Sequence, residues 1–404
     1  MNCMRYTIKA AAFAVWMPAL LVLLQLGACT KKDIMPEAVG EPVPYKDTAI
    51  RTWKEMMDKP GYTLWKAAWN RSDMNTLAAA DKAGAFVTVF MPTDQAFTAA
   101  GWTLDVINNA GKETLDSLLS YHIAPGKYNP ANIAGIRGSV QLKTLLTNDV
   151  VMGHNSSQPY IYSLYTGYLN DSLVINGVRA AKWGKGQDAG EGYVYTTDVV
   201  LQKPMQTMWE YIESNPEFSL FKSAVEKSDF EYSMGWSGMN SQMYLMGMPG
   251  FEYTLFLPSN KAFALLGIYT DEDVQNYINR SLPVKDPDYD ENWFYVNPTT
   301  SMDSILMAHG LDAYLYGGSI NYPVSAAYFS NDLVQNAAGL SGVEIRPGVQ
   351  YSSAPGVINV DFSVANGQPQ VKRHKANHTP MPLAQSDIRV LNGVIHVVDG
   401  LFIP

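Results

Sequence analysis

The chain has 404 residues and a mass of 44.6 kDa, more than one ordinary hydrophobic core holds. Apolar residues make up 47% and charged residues 17%, a globular composition that excludes a largely disordered chain. With 29 basic against 38 acidic residues the formal charge is −9, and no basic run interrupts the sequence; no nucleic-acid partner is expected.

The first element is a leader. Arg5 and Lys9 form a positive segment, and the apolar run Ala10 to Leu24, interrupted by Pro18, is shorter than the roughly 20 residues of a membrane span. Residues 1–28 are therefore expected to be a signal peptide. Leu26-Gly27-Ala28-Cys29 resembles a bacterial lipobox, which implies acylation of Cys29; a plain secretory signal with a chance cysteine is the alternative. Cys3 and Cys29 are the two cysteines of the chain, so an exported mature form would have no disulfide. Two acyl signals on Cys29 would give stable anchoring. Thr30 fits sorting to the outer membrane. The expected location is thus the outer membrane, lipid-anchored, at the cell surface or on the periplasmic face. Residues 29–46, with three prolines, read as the lipidated cysteine and an extended tether.

The remainder is an internal repeat. Thr88-Val-Phe-Met-Pro-Thr-Asp-Gln-Ala-Phe97 recurs as Thr254-Leu-Phe-Leu-Pro-Ser-Asn-Lys-Ala-Phe263, with five of ten positions identical. Trp53 to Asp73 aligns without gaps on Trp209 to Asp229, Asp116 to His122 on Asp303 to His309, and Gly192 to Asp198 on Gly393 to Asp399. Two domains are expected, 47–203 and 204–404. The offset between the copies grows from 156 to 201 along the chain, so the second copy holds about 45 extra residues. They fall near 231–253, near 281–302 and before residue 392, and should form loops.

Both copies share a local grammar. Tyr62 to Trp69 and Phe218 to Val225 have helical apolar spacing, as does Leu115 to His122. Phe86 to Met91 and Tyr253 to Leu257 are rich in β-branched and aromatic residues and predict strands that end at Pro92 and Pro258. Thr93-Asp94 and Ser259-Asn260 are expected helix caps. Asn392-Gly393 predicts a hairpin turn. Helices and strands mix without βαβ alternation, so the fold class is α+β.

The segment TVFMPTDQAF, the Tyr121-His122 pair followed by Pro125-Gly126, and the terminal NGVIHVVDGLFIP together resemble the fasciclin (FAS1) domain, twice, over nearly the whole mature chain. The resemblance implies two tandem domains, each a twisted β-wedge with a bundle of short helices. It also implies a mainly extracellular, adhesive family that binds proteins, glycans or matrix. The sequence departs from that pattern in two places. The first copy has Glu191-Gly192-Tyr193 where the second has Asn392-Gly393, and Ala308 stands where a tyrosine would precede His309. An adhesive role of the Tyr-His pair would transfer to Tyr121 and His122 alone.

No enzyme signature is present: there is no G-x-S-x-G, no H-E-x-x-H and no phosphate loop, and Gly184 to Gly190 reads as a flexible loop rather than a dinucleotide site. A non-enzymatic protein with no cofactor is expected. His374 and His378, with Asp387 downstream, have metal-like spacing but lie in a cationic, proline-broken segment; Asp286, Asp288, Asp290 and Glu291 lack the glycine and terminal glutamate of a calcium loop. No metal is expected at either. His122, His309 and His396 read as buried imidazoles that bond backbone or carboxylate groups. Three aromatic clusters remain. Trp236, Met239, Met243 and Met246 form a methionine-rich segment suited to a protein groove or to packing over the core. Tyr289, Trp293, Phe294 and Tyr295 stand beside acids, and Tyr160, Tyr162, Tyr165 and Tyr168 lie in the first copy. Exposed, such aromatics would stack sugars or anchor a protein. The expected function is non-enzymatic adhesion to extracellular glycan or protein. The second reading is an accessory subunit of an outer-membrane nutrient-uptake complex, docked through the methionine-rich segment.

Overall fold

A computed structural model of the protein describes residues 52–79, 86–135, 138–152, 158–182, 184–233, 246–249, 252–281, 284–285, 295–297, 300–307, 309–312, 327–336, 343–345, 358–373 and 379–403. These belong to one compact unit, Ala49–Pro404. The leader, Cys29 and the tether lie outside the described residues.

In the first repeat, helices α1 (Thr63–Arg71), α2 (Met74–Ala79), α3 (Asp94–Ala99), α4 (Leu104–Asn109), α5 (Lys112–Tyr121) and α6 (Pro130–Ala134) accompany eight strands. Strands β1 (Val87–Pro92), β2 (Ile123–Pro125), β7 (Gly186–Asp188) and β8 (Gly192–Thr197) form a sheet of order β2-β1-β8-β7. Strands β3 (Val140–Met152), β4 (Pro159–Leu169), β5 (Ser172–Ile175) and β6 (Val178–Lys182) form a second sheet in sequential order. The β1–β8 pair is parallel, Val87 opposite Gly192 through Pro92 opposite Thr197.

The second repeat contains α7 (Met208–Ser214), α8 (Ser219–Ser233), α9 (Asn260–Ala264), α10 (Asp271–Ile278), α11 (Ser301–Met307) and α12 (Ser330–Asn336). Its strands are β9 (Tyr253–Pro258), β10 (Val284–Lys285), β11 (Tyr295–Asn297), β12 (Gly310–Asp312), β13 (Val343–Ile345), β14 (Ile358–Ala365), β15 (Gln368–Arg373), β16 (Met381–Val390) and β17 (Gly393–Val398). Seven of them make one sheet of order β12-β9-β17-β16-β15-β14-β13, in which β17 runs parallel to β9 as β8 does to β1. Two register shifts in β16, between Leu383 and Gln385 and between Gln385 and Ile388, bend that strand.

Period-two alternation explains the layering. Val89 and Met91 of β1 face a core of α1, α3, α4 and α5 that includes Trp65, Phe97, Ile107 and Leu119, while Phe90 points to the opposite face. In β9, Leu255 and Leu257 face Phe221, Phe263, Val274 and Ile305, and Phe256 points away. The repeated strand-turn motif has a physical meaning. Asp94 accepts from the Leu64 N–H at 2.8 Å, and Asn260 accepts from the Leu220 N–H at 3.0 Å. The second residue after each strand thus satisfies an orphan donor at the start of α1 or of its counterpart α8.

Several expectations change in detail. Thr93 caps α3, accepting from the Ala96 N–H at 3.2 Å, but the buried Ser259 hydroxyl makes no cap bond and donates to Asp399 at 2.6 Å. The hairpin turn of β16–β17 is Leu391-Asn392, because Val390 pairs with Gly393. The glycine-rich 184–190 segment contains an edge strand rather than a free loop: β7 pairs with β8, and a Cβ on Gly186 would lie 2.4 Å from the Tyr193 ring. The insertion near 281–302 includes the β10–β11 ribbon.

Candidate functional site

The Tyr121-His122 pair ends α5, and neither side chain reaches solvent: Tyr121 is 1% exposed and His122 0%. This corrects their expected role as a binding pair. The Leu118 carbonyl lies 2.7 Å from His122 Nδ1, so that nitrogen carries the proton and donates; Nε2 accepts from the Leu201 N–H at 2.9 Å. Trp65 meets the ring edge-on at 5.7 Å. Burial holds the imidazole pKa down to about 4, only partly countered by the Leu118 carbonyl. The twin in the second repeat is built alike. His309 donates to the Ile305 carbonyl at 2.8 Å, accepts from the Phe402 N–H at 3.2 Å, and is lowered to about 4 by burial. Each histidine therefore staples the end of its repeat to a core helix. With both ring nitrogens engaged, neither is placed to act as a base on a ligand.

Tyr121 does a related job. Its hydroxyl accepts from Asn176 Nδ2 at 3.1 Å, and Asn176 Oδ1 accepts from the Tyr165 N–H at 2.9 Å. Asn176 and Gly177 both have positive φ, +51° and +79°, as the two-residue β5–β6 turn requires. This Asn-Gly pair between apolar runs is a hairpin signal in the sequence as strong as the one at 392–393. The turn abuts the second repeat, where a Cβ on Gly177 would fall 2.3 Å from the Asp387 carboxyl carbon.

The tyrosine cluster of the first repeat lies at this junction rather than on the surface. Tyr160, Tyr162 and Tyr165 are 7%, 5% and 0% exposed, and Tyr168 is half-buried. Tyr160 donates to the Leu391 carbonyl at 2.5 Å, and Tyr165 packs on Phe329 at 5.2 Å between ring centres. The Arg389 guanidinium lies 4.9 Å from the Tyr165 ring. Polar bonds cross as well: Ser139 donates to Asp332 at 2.8 Å and Gln141 to Glu252 at 2.7 Å. Asp332 also accepts from the Phe329 N–H at 2.9 Å; burial pushes its carboxyl up to about 6 against those bonds. Asp387, held at φ +62°, accepts from the Ser330 N–H at 2.6 Å. Its own N–H lies 3.4 Å from His396 Nδ1, while His396 Nε2 bonds the Tyr328 carbonyl at 2.8 Å. Burial lowers the His396 pKa, and the nearby Asp387 works against that.

Of the methionine-rich segment, Met246 is 7% exposed within the core of the second repeat, and its carbonyl accepts from Asn392 at 2.7 Å. That corrects its expected place on a partner-binding surface: an apolar side chain next to a core helix gains more by burial. Trp236, Met239, Met243, Tyr289, Trp293 and Phe294 lie outside the described residues, as do His374, His378, Asp286, Asp288, Asp290 and Glu291. Tyr295 is described only as the first residue of β11. Among the described residues no group of three or more His, Cys, Asp or Glu could hold a metal ion. No helix among them is long and apolar enough to cross a membrane.

No curated protein matches the chain. Among solved structures, an FAS1 domain pair from the insect cell adhesion molecule fasciclin I is similar at 16% identity over 85% of this chain and 96% of that one, with a TM-score of 0.34. The fasciclin domain model matches residues 61–203 and again 216–404. With most of its length matched in two successive copies, the chain belongs to the fasciclin domain family.

Proposed function

We propose that this protein is a lipid-anchored, non-enzymatic adhesion module of the outer membrane, whose two fasciclin domains bind extracellular glycan or protein. The twofold family match carries this reading. The chemistry of the repeats agrees: the histidines of the family-like motifs spend both ring nitrogens on backbone groups. The lipobox-like Leu26-Gly27-Ala28-Cys29 supplies the anchor, and residues 30–46 supply reach.

Two measurements test it. Growth with an alkyne fatty acid should label the wild-type protein, and Cys29→Ser should abolish the label and release the protein from the membrane fraction. Equal labelling of the two would remove the anchor. Native pull-down of the detergent-solubilised protein then addresses partners. Recovery alone, with retention on extracellular polymer, is the expected result; a stoichiometric membrane transporter would replace adhesion by the accessory-subunit reading.

A further inference from the structure

The two repeats diverge at the turn after α3 and its counterpart α9. In both, a glycine follows the helix and the next residue donates its N–H back to a core phenylalanine: Trp102 to the Phe97 carbonyl at 2.9 Å, Ile268 to the Phe263 carbonyl at 3.2 Å. Ile268 is 2% exposed and completes the core, whereas Trp102 is only half-buried. The helix that follows differs in the same sense. Where α10 begins Asp271-Glu272-Asp273, with a full capping box on Thr270, α4 begins Leu104-Asp105-Val106 and leaves Val106 45% exposed. The two repeats thus expose different groups at this turn: Trp102, Leu104 and Val106 in the first, Leu265, Tyr269 and the acids that open α10 in the second.

Trp102, Asp105, Val106, Asn109, Ala110 and Thr114 line a shallow, largely open cleft of about 450 Å³. Its walls are braced. Thr103 caps α4 by accepting from the Val106 N–H at 3.3 Å, and Arg71 donates to the Ile107 and Ala110 carbonyls at the helix end, at 3.1 and 3.4 Å. Asn109 donates its amide N–H to the Asp105 carbonyl at 2.9 Å, which leaves its amide oxygen as an acceptor. The Asp105 carboxylate and Asn109 oxygen accept, the Thr114 hydroxyl does either, and the Trp102 indole N–H donates. No cation is among the lining residues.

We propose that this cleft is a subsite for an uncharged sugar unit of an extracellular glycan. A pyranose has an apolar C–H face that fits an indole, and a rim of hydroxyls that donate to carboxylate and amide oxygens. The lack of a lining cation disfavours an anionic ligand, as does the net charge of −9. This inference rests on the adhesion reading and narrows it to one ligand class and one site.

Affinity electrophoresis of the full-length, detergent-solubilised protein through gels containing dextran, mannan or xyloglucan tests it, with polyanionic alginate alongside. At least one neutral polymer should retard the wild type. Trp102→Ala should weaken that binding at least tenfold and Asp105→Asn several-fold, while Trp102→Phe retains part of it. Asp105 is exposed, so D105N reads the site without threatening the fold; thermal unfolding of each variant checks this. Neutral-glycan binding unchanged in W102A and D105N would overturn the cleft while leaving adhesion intact. Retardation by alginate alone, or binding only to a protein partner, would also overturn it. Failure to bind any glycan or protein would take the adhesion reading down as well.

Discussion

Acidification from pH 7 to pH 4 is expected to destabilise the fold by about 4 kcal/mol, a net of opposing terms. His122 and His309 sit at about 4 in the folded protein against 6.5 in free solution. Between those values the unfolded chain binds more protons, so the stability each contributes is present above pH 6.5 and lost as pH falls toward 4. Each loss amounts to roughly 3 kcal/mol. Asp332 works in the other direction. Its folded value of about 6 lies above the ordinary 3.8, so the folded state binds the extra proton and gains roughly 2 kcal/mol over the same range. Two histidines outweigh one carboxyl, and the lowered His396 adds to their side. Urea unfolding followed at intervals between pH 7 and pH 4 measures the slope. His122→Gln and His309→Gln should each cut the acid loss by roughly 3 kcal/mol. A stability that is flat or rises on acidification would contradict the neutral, doubly bonded imidazoles described above.

The second large effect concerns the junction of the repeats. Phe329 is fully buried against Tyr165 of the other repeat, with Ala327 and Val394 completing the cluster. Phe329→Ala should cost about 3–5 kcal/mol through lost burial and the cavity it leaves. It should also split thermal unfolding into two transitions, because the ring is a main apolar contact between the copies. Ser139→Ala is the milder variant: it removes the hydrogen bond donated to Asp332 and the one accepted from Asn331, and should cost about 1–3 kcal/mol without splitting the transition. A single transition for F329A within about 1 kcal/mol of wild type would show that the copies are not coupled through this cluster. Coupling matters for adhesion, since a stiff pair presents its surfaces in fixed register, whereas two domains on a hinge lose entropy on simultaneous engagement.

Much of the fold was legible before any coordinates. Phe86 to Met91 and Tyr253 to Leu257 declared themselves by β-branched and aromatic content; the aligned Leu64 and Leu220 helices declared themselves by apolar spacing. Those signals are local, and local periodicity reflects which face must leave water. The motif residues His122 and His309 read as buried imidazoles bonded to backbone or carboxylate groups, and the structure gives both of them backbone partners in place of the binding role that His122 also suggested. Exposure was another matter. Tyr160, Tyr162 and Tyr165 have the composition of a sugar-stacking surface, yet they are buried, Tyr160 and Tyr165 against the second repeat and Tyr162 against Tyr121 and Tyr160 of its own. Met246 looks like part of an adaptable docking patch but sits in the core of its own repeat.

The sequence by itself determined the family, the twofold repeat and the α+β class, because each is written in short-range pattern or in self-similarity at fixed spacing. Only the tertiary structure decided which aromatics face solvent. It turned the tyrosine cluster into a junction and drew Tyr121 inward to hold the Asn176-Gly177 turn. It also left Trp102 half out of a core that its counterpart Ile268 completes. Burial is a property of contacts between residues far apart in the chain, and no window along the sequence contains both partners.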